Sequence, residues 1–522
     1  MQPPSLRKLF QAFTPSERKN IIIYVLGIML YKFGLEAFTG SIITLATDRF
    51  NSDHTFTKLG ALTGLYQAMQ CVGAILIAPL IMRFSTKAVL ACTVLIFGCL
   101  TTLLMIIDAS TGGKIQNATD SKPTYGRYTP NIIFPIYCST GVCYGMVELI
   151  RRIIPRDLVG GNVQKLRRLD ALVHVFYEVS GTTGAFTSAW LILRLGNNYA
   201  LLITPIFFVL SCVTWSFLNI NSLSYRPQST LNDSDAEAEC KSVSSSRITV
   251  SGYSKQSQPR TIKKTIQSYF GKVLNGFCLF FKSIYMGAGL VMTSRKFIWL
   301  FSGYSIALYA HRYLENALLP AFANRTLGES AYSQIMVGGS NFGELLGALS
   351  VFLLSNSVPT PMPWLRLDAL MLLITWVLVF IKPAVKDLGY VWKLALMFVP
   401  ISFGWAAGDV SLAAYIQASL SRIENVDHDI SALGSVMAFL YCSYIIIYAI
   451  LSSLLGGYID AVWSKYRTIR PALLNISGVQ FTVIACVIFA STFIPRGSCK
   501  LNPKILEGED LENDDLMNPT EI

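Results

Sequence analysis

The sequence predicts an all-α membrane protein with twelve transmembrane helices in two six-helix, pseudo-repeated halves, and three observations support this fold class. Of the 522 residues, 52% are hydrophobic and only 14% are charged, whereas a soluble domain carries about a quarter charged residues. The apolar residues occur in runs of about 20, the length at which a helix crosses a bilayer. One long polar segment divides these runs into two sets of six.

The N-terminal half begins with a polar segment, residues 1–19, which is expected in the cytoplasm. A six-helix bundle is predicted over residues 20–220, because its apolar runs alternate with short basic connections. Spans 1 to 6 are predicted at residues 20–46, 58–82, 88–108, 131–150, 170–194 and 199–220.

A cytoplasmic linker is predicted over residues 221–295. Its first part is polar and Ser-rich, which is typical of a disordered segment. Its second part, from about Ile262, has apolar residues at helical spacing with lysines between them. This pattern predicts an amphipathic helix that lies along the inner membrane surface.

The C-terminal half is predicted to form a second six-helix bundle over residues 296–494. Spans 7 to 12 are predicted at residues 296–322, 331–354, 364–382, 390–416, 430–455 and 472–494. Residues 495–522 are predicted to be a disordered cytoplasmic tail, because they end in an acidic run without any basic residue.

The orientation follows from the basic loops. The segment from Arg151 to Arg168 carries six basic residues and one acid, and such segments collect in the cytoplasm. The net charge of +12 therefore needs no nucleic-acid partner. With both termini inside, the sequons at Asn117 and Asn324 fall in outward loops as expected glycosylation sites. The basic loop Ser464–Arg470 argues the other way, but the first half dominates orientation. A eukaryotic plasma or vacuolar membrane is expected.

Several chemical functions find no support in the sequence. The eleven cysteines include no CxxC pair, so neither a disulfide framework nor a metal site is indicated. The four histidines, His54, His174, His311 and His428, are scattered. No phosphate-binding GxxxxGK[ST] loop and no GxSxG nucleophile motif occurs. We therefore expect no cofactor and no enzymatic activity.

An internal repeat relates the two halves. The stretch LYKFGLEA in span 1 aligns with YAHRYLENA in span 7, so that Lys32 corresponds to His311 and Glu36 to Glu315. Shorter matches follow in the second and fourth helices of each half. Repeats of this parallel kind are typical of transporters with two related halves.

The architecture resembles the major facilitator superfamily of secondary transporters. The family signature after the second helix has the form G-x-x-x-D-R-x-G-R-K, and the stretch APLIMRFSTK stands in its place. Arg83 and Lys87 match the signature, whereas Ala78, Met82 and Ser85 depart from it. The resemblance implies a monomer that works by alternating access, with Arg83 and Lys87 at the cytoplasmic gate. The departures argue against drug antiporters and sugar porters and favour a little-studied, possibly fungal, branch.

Charged residues inside the spans are the best indication of a transport pathway, because each costs about 2.5–3.5 kcal/mol at the bilayer centre. Lys32 and Glu36 are four residues apart and share one helix face. His311 and Glu315 share a face in the same way, and Arg312 is expected about 100° away. Both clusters are predicted to line the cavity; the alternatives are a structural salt bridge and an interfacial histidine.

Further charges extend this pattern. Asp170, His174 and Glu178 recur every fourth residue, which predicts a polar stripe entering span 5 from the cytoplasm. It could carry substrate or protons, or Asp170 could latch to a nearby arginine as part of the inner gate. Glu344 and Asp409 lie next to glycine repeats that permit close helix packing, and either could face the cavity.

These observations predict a secondary active transporter for a small polar organic solute, with protons as a second partner and the lipid bilayer as its surroundings. Acids outnumber bases in the spans, which favours proton coupling or a cationic or zwitterionic solute. The alternative function is a non-transporting receptor or sensor on a transporter fold. A membrane enzyme ranks third.

Overall fold

The twelve predicted spans are helices in the computed structural model, which describes residues 13–50, 54–81, 84–115, 124–159, 163–218, 262–354, 357–420 and 432–503. Spans 1 to 6 are Pro15–Arg49, Thr55–Ile81, Thr86–Ser110, Ile133–Val159, Val163–Leu195 and Asn197–Ser216. Spans 7 to 12 are residues 301–327, Tyr332–Leu354, Met362–Phe380, Leu388–Leu420, Ala432–Tyr466 and Arg470–Ser491. The predicted fold class is thus confirmed. Arg83 and Asn117 lie outside the described residues, as does the side chain of Asp170.

Eleven helices of the described chain are long and apolar enough to cross a membrane: ten of the twelve spans and the linker helix, Ile262–Thr293. Span 5 is missing from this set because His174, Glu178 and many Ser, Thr and Gly residues lower its hydropathy. Span 7 is missing because it is not one regular helix. These two exceptions carry five of the residues predicted for the transport pathway: His174, Glu178, His311, Arg312 and Glu315.

Span 7 alternates between α-helical and π-helical segments. The π segments are Phe301–Ile306, Leu314–Leu318 and Ala323–Leu327. Pro320 lies between the last two, and its missing N–H removes one bond from the helical ladder. Because π segments bond from residue i to residue i+5, they change which side chains share a face.

Span 1 begins five residues before its apolar run. Thr14 and Glu17 form a capping box, in which the Thr14 hydroxyl accepts from the Glu17 N–H at 3.3 Å and Glu17 Oε2 accepts from the Thr14 N–H at 2.7 Å. Pro15 occupies the first helical position, where no hydrogen bond is lost. Local capping therefore sets this boundary rather than hydropathy.

The linker helix packs against spans 2 and 11. Gly287 lets it approach the backbone of Ser435 closely, and the Ser283 hydroxyl donates to the Ser435 hydroxyl at 3.3 Å. Its other side exposes large apolar residues, including Phe281 and Tyr285. The predicted amphipathic helix is present, and its position along the membrane surface stays a prediction.

The two halves meet along two helix pairs, span 2 with span 11 and span 5 with span 8. We call the end of the molecule where span 1 joins span 2 the outer end, and the opposite end the inner end. Near the outer end, spans 2 and 11 almost touch: a Cβ on Gly60 would lie 2.3 Å from the Ser452 carbonyl oxygen, and one on Gly456 would lie 2.2 Å from that of Phe56. Glycines therefore permit this close packing.

Candidate functional site

A cavity of about 450 Å³ lies between the two halves. Its lining begins at mid-depth and continues toward the inner end, with residues from spans 1, 2, 4, 5, 7, 8, 10 and 11 and from the linker helix. A volume of this size suits a small organic molecule. Eight predicted site residues line it: Lys32, Glu36, His174, Glu178, Arg312, Glu315, Glu344 and Asp409.

The predicted pair in span 1 is present. Lys32 Nζ donates to Glu36 Oε1, and both side chains are largely buried. The Lys32 ammonium also lies 4.5 Å from the centre of the Tyr177 ring, which belongs to span 5. Cation–π contact of this kind stabilises a charge that has left water.

In span 7, the prediction that His311 lies beside Glu315 is wrong. Glu315 pairs with Arg312, with Nη1 to Oε2 at 3.1 Å, rather than with His311. Arg312 lies three residues before Glu315, a spacing that also places two side chains together on a helix. His311 is instead held by Asp368 of span 9. Ser340 of span 8 donates a second hydrogen bond to Glu315 at 2.6 Å.

His311 lies behind the cavity wall rather than on it. Its Nε2 is 2.9 Å from Asp368 Oδ1 of span 9, and both residues are buried. The ring stacks on Trp405, with centroids 4.8 Å apart, and Trp405 itself lines the cavity. Asp368 was missed in the sequence, although a charged residue inside predicted span 9 was a sufficient signal.

A third ion pair, Arg151 with Glu148, lines the cavity toward its inner end, on the side of the N-terminal half. Arg151 Nη2 donates to Glu148 Oε2 at 2.6 Å, and the Tyr177 hydroxyl donates to Glu148 Oε1 at 3.3 Å. The Arg151 guanidinium lies 4.2 Å from the Tyr177 ring centre. Tyr177 therefore stands between two cations, Lys32 and Arg151, and connects the two ion pairs.

Five polar atoms of the side chains that line the cavity lack hydrogen-bond partners among the described residues, and Arg151 Nε and Tyr448 Oη are two of them. Within the described chain, no hydrogen-bond partner is found for Glu178 Oε2, Asn341 Nδ2 or His174 Nε2. The Glu178 and Asn341 side chains are buried, each with 4% of its surface exposed. Buried polar groups without partners are rare and mark places where a ligand, water or proton completes the structure.

Two acids that were not predicted join the halves at the outer end. Asp460 of span 11 accepts from the Thr57 N–H and the Thr57 hydroxyl, both at 2.8 Å, and from the Phe56 N–H at 3.2 Å. It therefore caps the N-terminus of span 2 from the other half. Asp48 of span 1 accepts from the Ser330 hydroxyl at 2.6 Å, across the same boundary.

Two further predicted residues, Lys87 and Asn324, form hydrogen bonds outside the cavity, and the gate role of Lys87 stays a prediction. Lys87 donates to the carbonyl oxygens of Ser216 and Leu218, which tie span 3 to the end of span 6. Asn324 lies in the last π segment, and its Nδ2, the atom that a glycan would modify, donates to Ser330 at 2.9 Å. Glycosylation stays a prediction at both Asn117 and Asn324.

A metal is not indicated in the part of the chain that the structure describes, since no three His, Cys, Asp or Glu side chains gather as ligands there. The available chemistry is that of paired charges, unpaired carboxylates and aromatic faces. It suits the binding of a polar solute and the exchange of protons.

Two six-helix halves around a charged cavity define a multi-pass membrane transporter. The chain belongs to the Major Facilitator Superfamily, whose family profile matches residues 24–426. No curated protein sequence matches significantly.

Solved transporter structures share the fold at low sequence identity. A nucleoside transporter, NupG in a D323A mutant, superposes with a TM-score of 0.56 at 14% identity, covering 90% of this chain and 99% of that one. A D-xylose-proton symporter superposes with a TM-score of 0.58 at 12% identity, covering 93% of this chain and 97% of that one. The xylose transporter XylE from E. coli, in an inward-open conformation, superposes with a TM-score of 0.57 at 13% identity. The superposition covers 96% of this chain and 99% of that one. These likenesses establish the fold alone.

Proposed function

We propose that this protein is a secondary active transporter that moves a small polar organic solute by alternating access and is coupled to protons. The observation that carries the proposal is the cavity itself. It lies between the halves, is lined by charges from both, and extends toward the inner end, while the outer end is filled by contacts between the halves. This arrangement corresponds to an inward-facing state.

Alternating access requires that the outer contacts can break. Opening the outer end would separate Asp460 from the N-terminus of span 2 and Asp48 from Ser330. Each contact is a small number of hydrogen bonds, worth about 0.5–3 kcal/mol. A solute that binds more tightly to one state can shift an equilibrium of this size.

Proton coupling is supported by Glu36 and Glu315, which occupy equivalent positions in the two halves. Each carboxylate is paired with a cation, Lys32 or Arg312. Protonation of either glutamate would remove the counter-charge of its partner, which is the buried Lys32 in one half and the partly exposed Arg312 in the other. Solute binding and helix movement would then depend on the protonation state. One solved structure with a similar fold is a D-xylose-proton symporter.

The test begins with the solute. Metabolite profiling of cells with and without the gene identifies compounds that change, and their flux is measured in proteoliposomes with and without a pH gradient. Flux should increase with the gradient, and Glu36→Gln and Glu315→Gln should make flux independent of it. Asp387→Asn is the matched control, because Asp387 is exposed in an outer loop. Normal gradient response in both glutamine variants would show that the two pairs are structural.

We further propose cytoplasmic termini and a monomer in a eukaryotic plasma or vacuolar membrane. The basic loop Arg151–Arg168 and the basic linker support this orientation. A fluorescent fusion would identify the membrane. Protease protection of tags at either terminus would test the orientation, and cleavage from outside would reject it.

A further inference from the structure

The cavity has an excess of negative charge. Six carboxylates line it, against three lysine or arginine side chains and one histidine. Each of the three cations already has a carboxylate partner: Glu36, Glu148 or Glu315. The cations of the cavity are therefore occupied within the protein.

Glu178 and Glu344 face each other across the boundary between the halves. Glu178 is on span 5 and Glu344 is on span 8, one of the two helix pairs through which the halves meet. Gly181 follows Glu178 by three residues and lies beside Asn341, which precedes Glu344 by three residues. The two acids therefore lie at a similar depth on neighbouring walls of the cavity. Among the described residues, neither forms an ion pair within 4.0 Å, and Glu178 Oε2 has no hydrogen-bond donor at all.

A carboxylate without an ion-pair partner in a largely enclosed site is unfavourable unless it is protonated or meets a positive charge, and a cationic solute would supply that charge. A neutral solute would leave the two carboxylates uncompensated, and an anion would be repelled by them. The cavity walls also present the rings of Tyr66, Tyr144, Tyr177 and Trp405. Aromatic faces attract cations, and they attract quaternary or substituted ammonium groups in particular.

The neighbouring Asn341 adds a second requirement. Its Nδ2 is buried, faces the cavity and has no acceptor in the described chain. A Cβ built on Gly181 would lie 3.5 Å from this nitrogen and 3.5 Å from Lys32 Nζ, so the two donors are neighbours. Because Lys32 is already paired with Glu36, Asn341 Nδ2 is the donor that suits an acceptor oxygen on the solute.

We infer that the transported solute carries a cationic nitrogen that binds between Glu178 and Glu344, together with a hydroxyl or carbonyl oxygen that accepts from Asn341. This inference rests on the proposed transport function and names the substrate class for the same cavity. It assigns Glu178 and Glu344 to charge recognition, and Asn341 to recognition of the oxygen.

Thermal unfolding of the purified protein tests the charge requirement with two matched probe pairs. The pairs are choline with its uncharged carbon analogue, and benzylamine with benzyl alcohol. Each cation should raise the unfolding temperature of the wild-type protein more than its neutral partner. Equal effects of the two members, or no effect of either cation, would overturn the inference.

Variants locate the binding. Glu178→Gln and Glu344→Gln should weaken the apparent affinity for the cations about tenfold or more, as loss of a charge-assisted contact predicts. Glu178→Asp keeps the charge and should keep the preference for cations, which separates lost recognition from lost folding. Asp387→Asn should behave as wild type. Undiminished cation binding by both glutamine variants would overturn the assignment.

Uptake of the same four probes into proteoliposomes separates this inference from the proposed function. Uptake of neutral probes without cations would overturn the cationic substrate class and leave transport intact. Cation binding that depends on Glu178 and Glu344, without uptake of any solute, would instead overturn transport and retain the cation site.

Discussion

Spans 2 and 11 pack closely against each other near the outer end, whereas at cavity depth the same two helices leave open space between the halves. Toward the outer end, Gly60, Gly64 and Gly456 bring the backbones together. At cavity depth, Tyr66 and Tyr441 stand on the same helices and line open space. The comparison shows that side-chain size along one helix pair determines where the halves close and where a solute can fit. Variants at each end should therefore shift the protein in opposite directions.

The largest effect is expected from Gly60→Ala. The new Cβ would lie 2.3 Å from the Ser452 carbonyl oxygen, a backbone atom that cannot move without moving span 11. The free energy that stabilises the closed outer end should fall by about 1–3 kcal/mol. Thermal unfolding and spin-label distances across the outer end would measure the loss.

Gly289→Ala is the matched control for this variant. Gly289 is also helical, but a Cβ there meets no atom within 4 Å. The control should be neutral or more stable by up to about 1 kcal/mol. If Gly60→Ala is as stable and as closed as the control, glycine packing does not determine closure.

Asp460→Ala should have the second largest effect. It removes the acceptor for the Phe56 and Thr57 N–H groups at the start of span 2. Loss of an N-cap costs about 0.5–2 kcal/mol, and here it destabilises only the state in which the outer end is closed. Spin-label distances should shift toward an open outer end. Asp460→Asn keeps one oxygen acceptor and should be intermediate; an unchanged distance distribution in Asp460→Ala would contradict the gating role.

The sequence predicted the Lys32–Glu36 pair because both residues lie on one uninterrupted helix, where spacing alone fixes the geometry. It favoured His311 over Arg312 as the residue beside Glu315, because the contact that holds His311, with Asp368 of span 9, exists only in the folded protein. Nor could it find Asp460 as a cap, since its partner Thr57 is 403 positions away and the contact exists only after both halves fold. The number of spans and the polarity of each are local properties that a sequence shows directly. The residues that close the outer end depend on tertiary contacts, which a sequence does not show.

Tyr441→Phe tests the region at cavity depth. Its effect should be smaller than that of Asp460→Ala and should favour opening at the inner end instead of the outer end. The Tyr441 hydroxyl donates to Gln70 Oε1 at 3.2 Å, between spans 11 and 2 at cavity depth. Loss of this neutral hydrogen bond should destabilise closure around the cavity by about 0.5–1.5 kcal/mol. Labels near the inner end should move apart, while the outer distances stay unchanged. Opening at the outer end would contradict the division between the two regions.

The smallest effect is expected from Glu329→Gln, which tests how pH acts on the outer end. Burial, with a further contribution from Asp48, raises the pKa of Glu329 above its ordinary value of 4.5, and Lys386 partly opposes the shift. The closed outer end therefore binds this proton more tightly than an exposed carboxyl does. The resulting stabilisation is complete below pH 4.5 and is lost as the pH rises through the raised pKa.

Glu329→Gln should abolish this pH dependence and keep the outer end closed at neutral pH. The gain should be about 0.5 kcal/mol or less, because the side chain is partly exposed to solvent. Spin-label distances across the outer end, measured between pH 5 and pH 7.5, would detect the gain as a population shift. Asp387→Asn removes an exposed acid from the same end and should retain the wild-type response. If the glutamine variant responds to pH as the wild type does, the titrating group lies elsewhere, and the cavity carboxylates become the next to test.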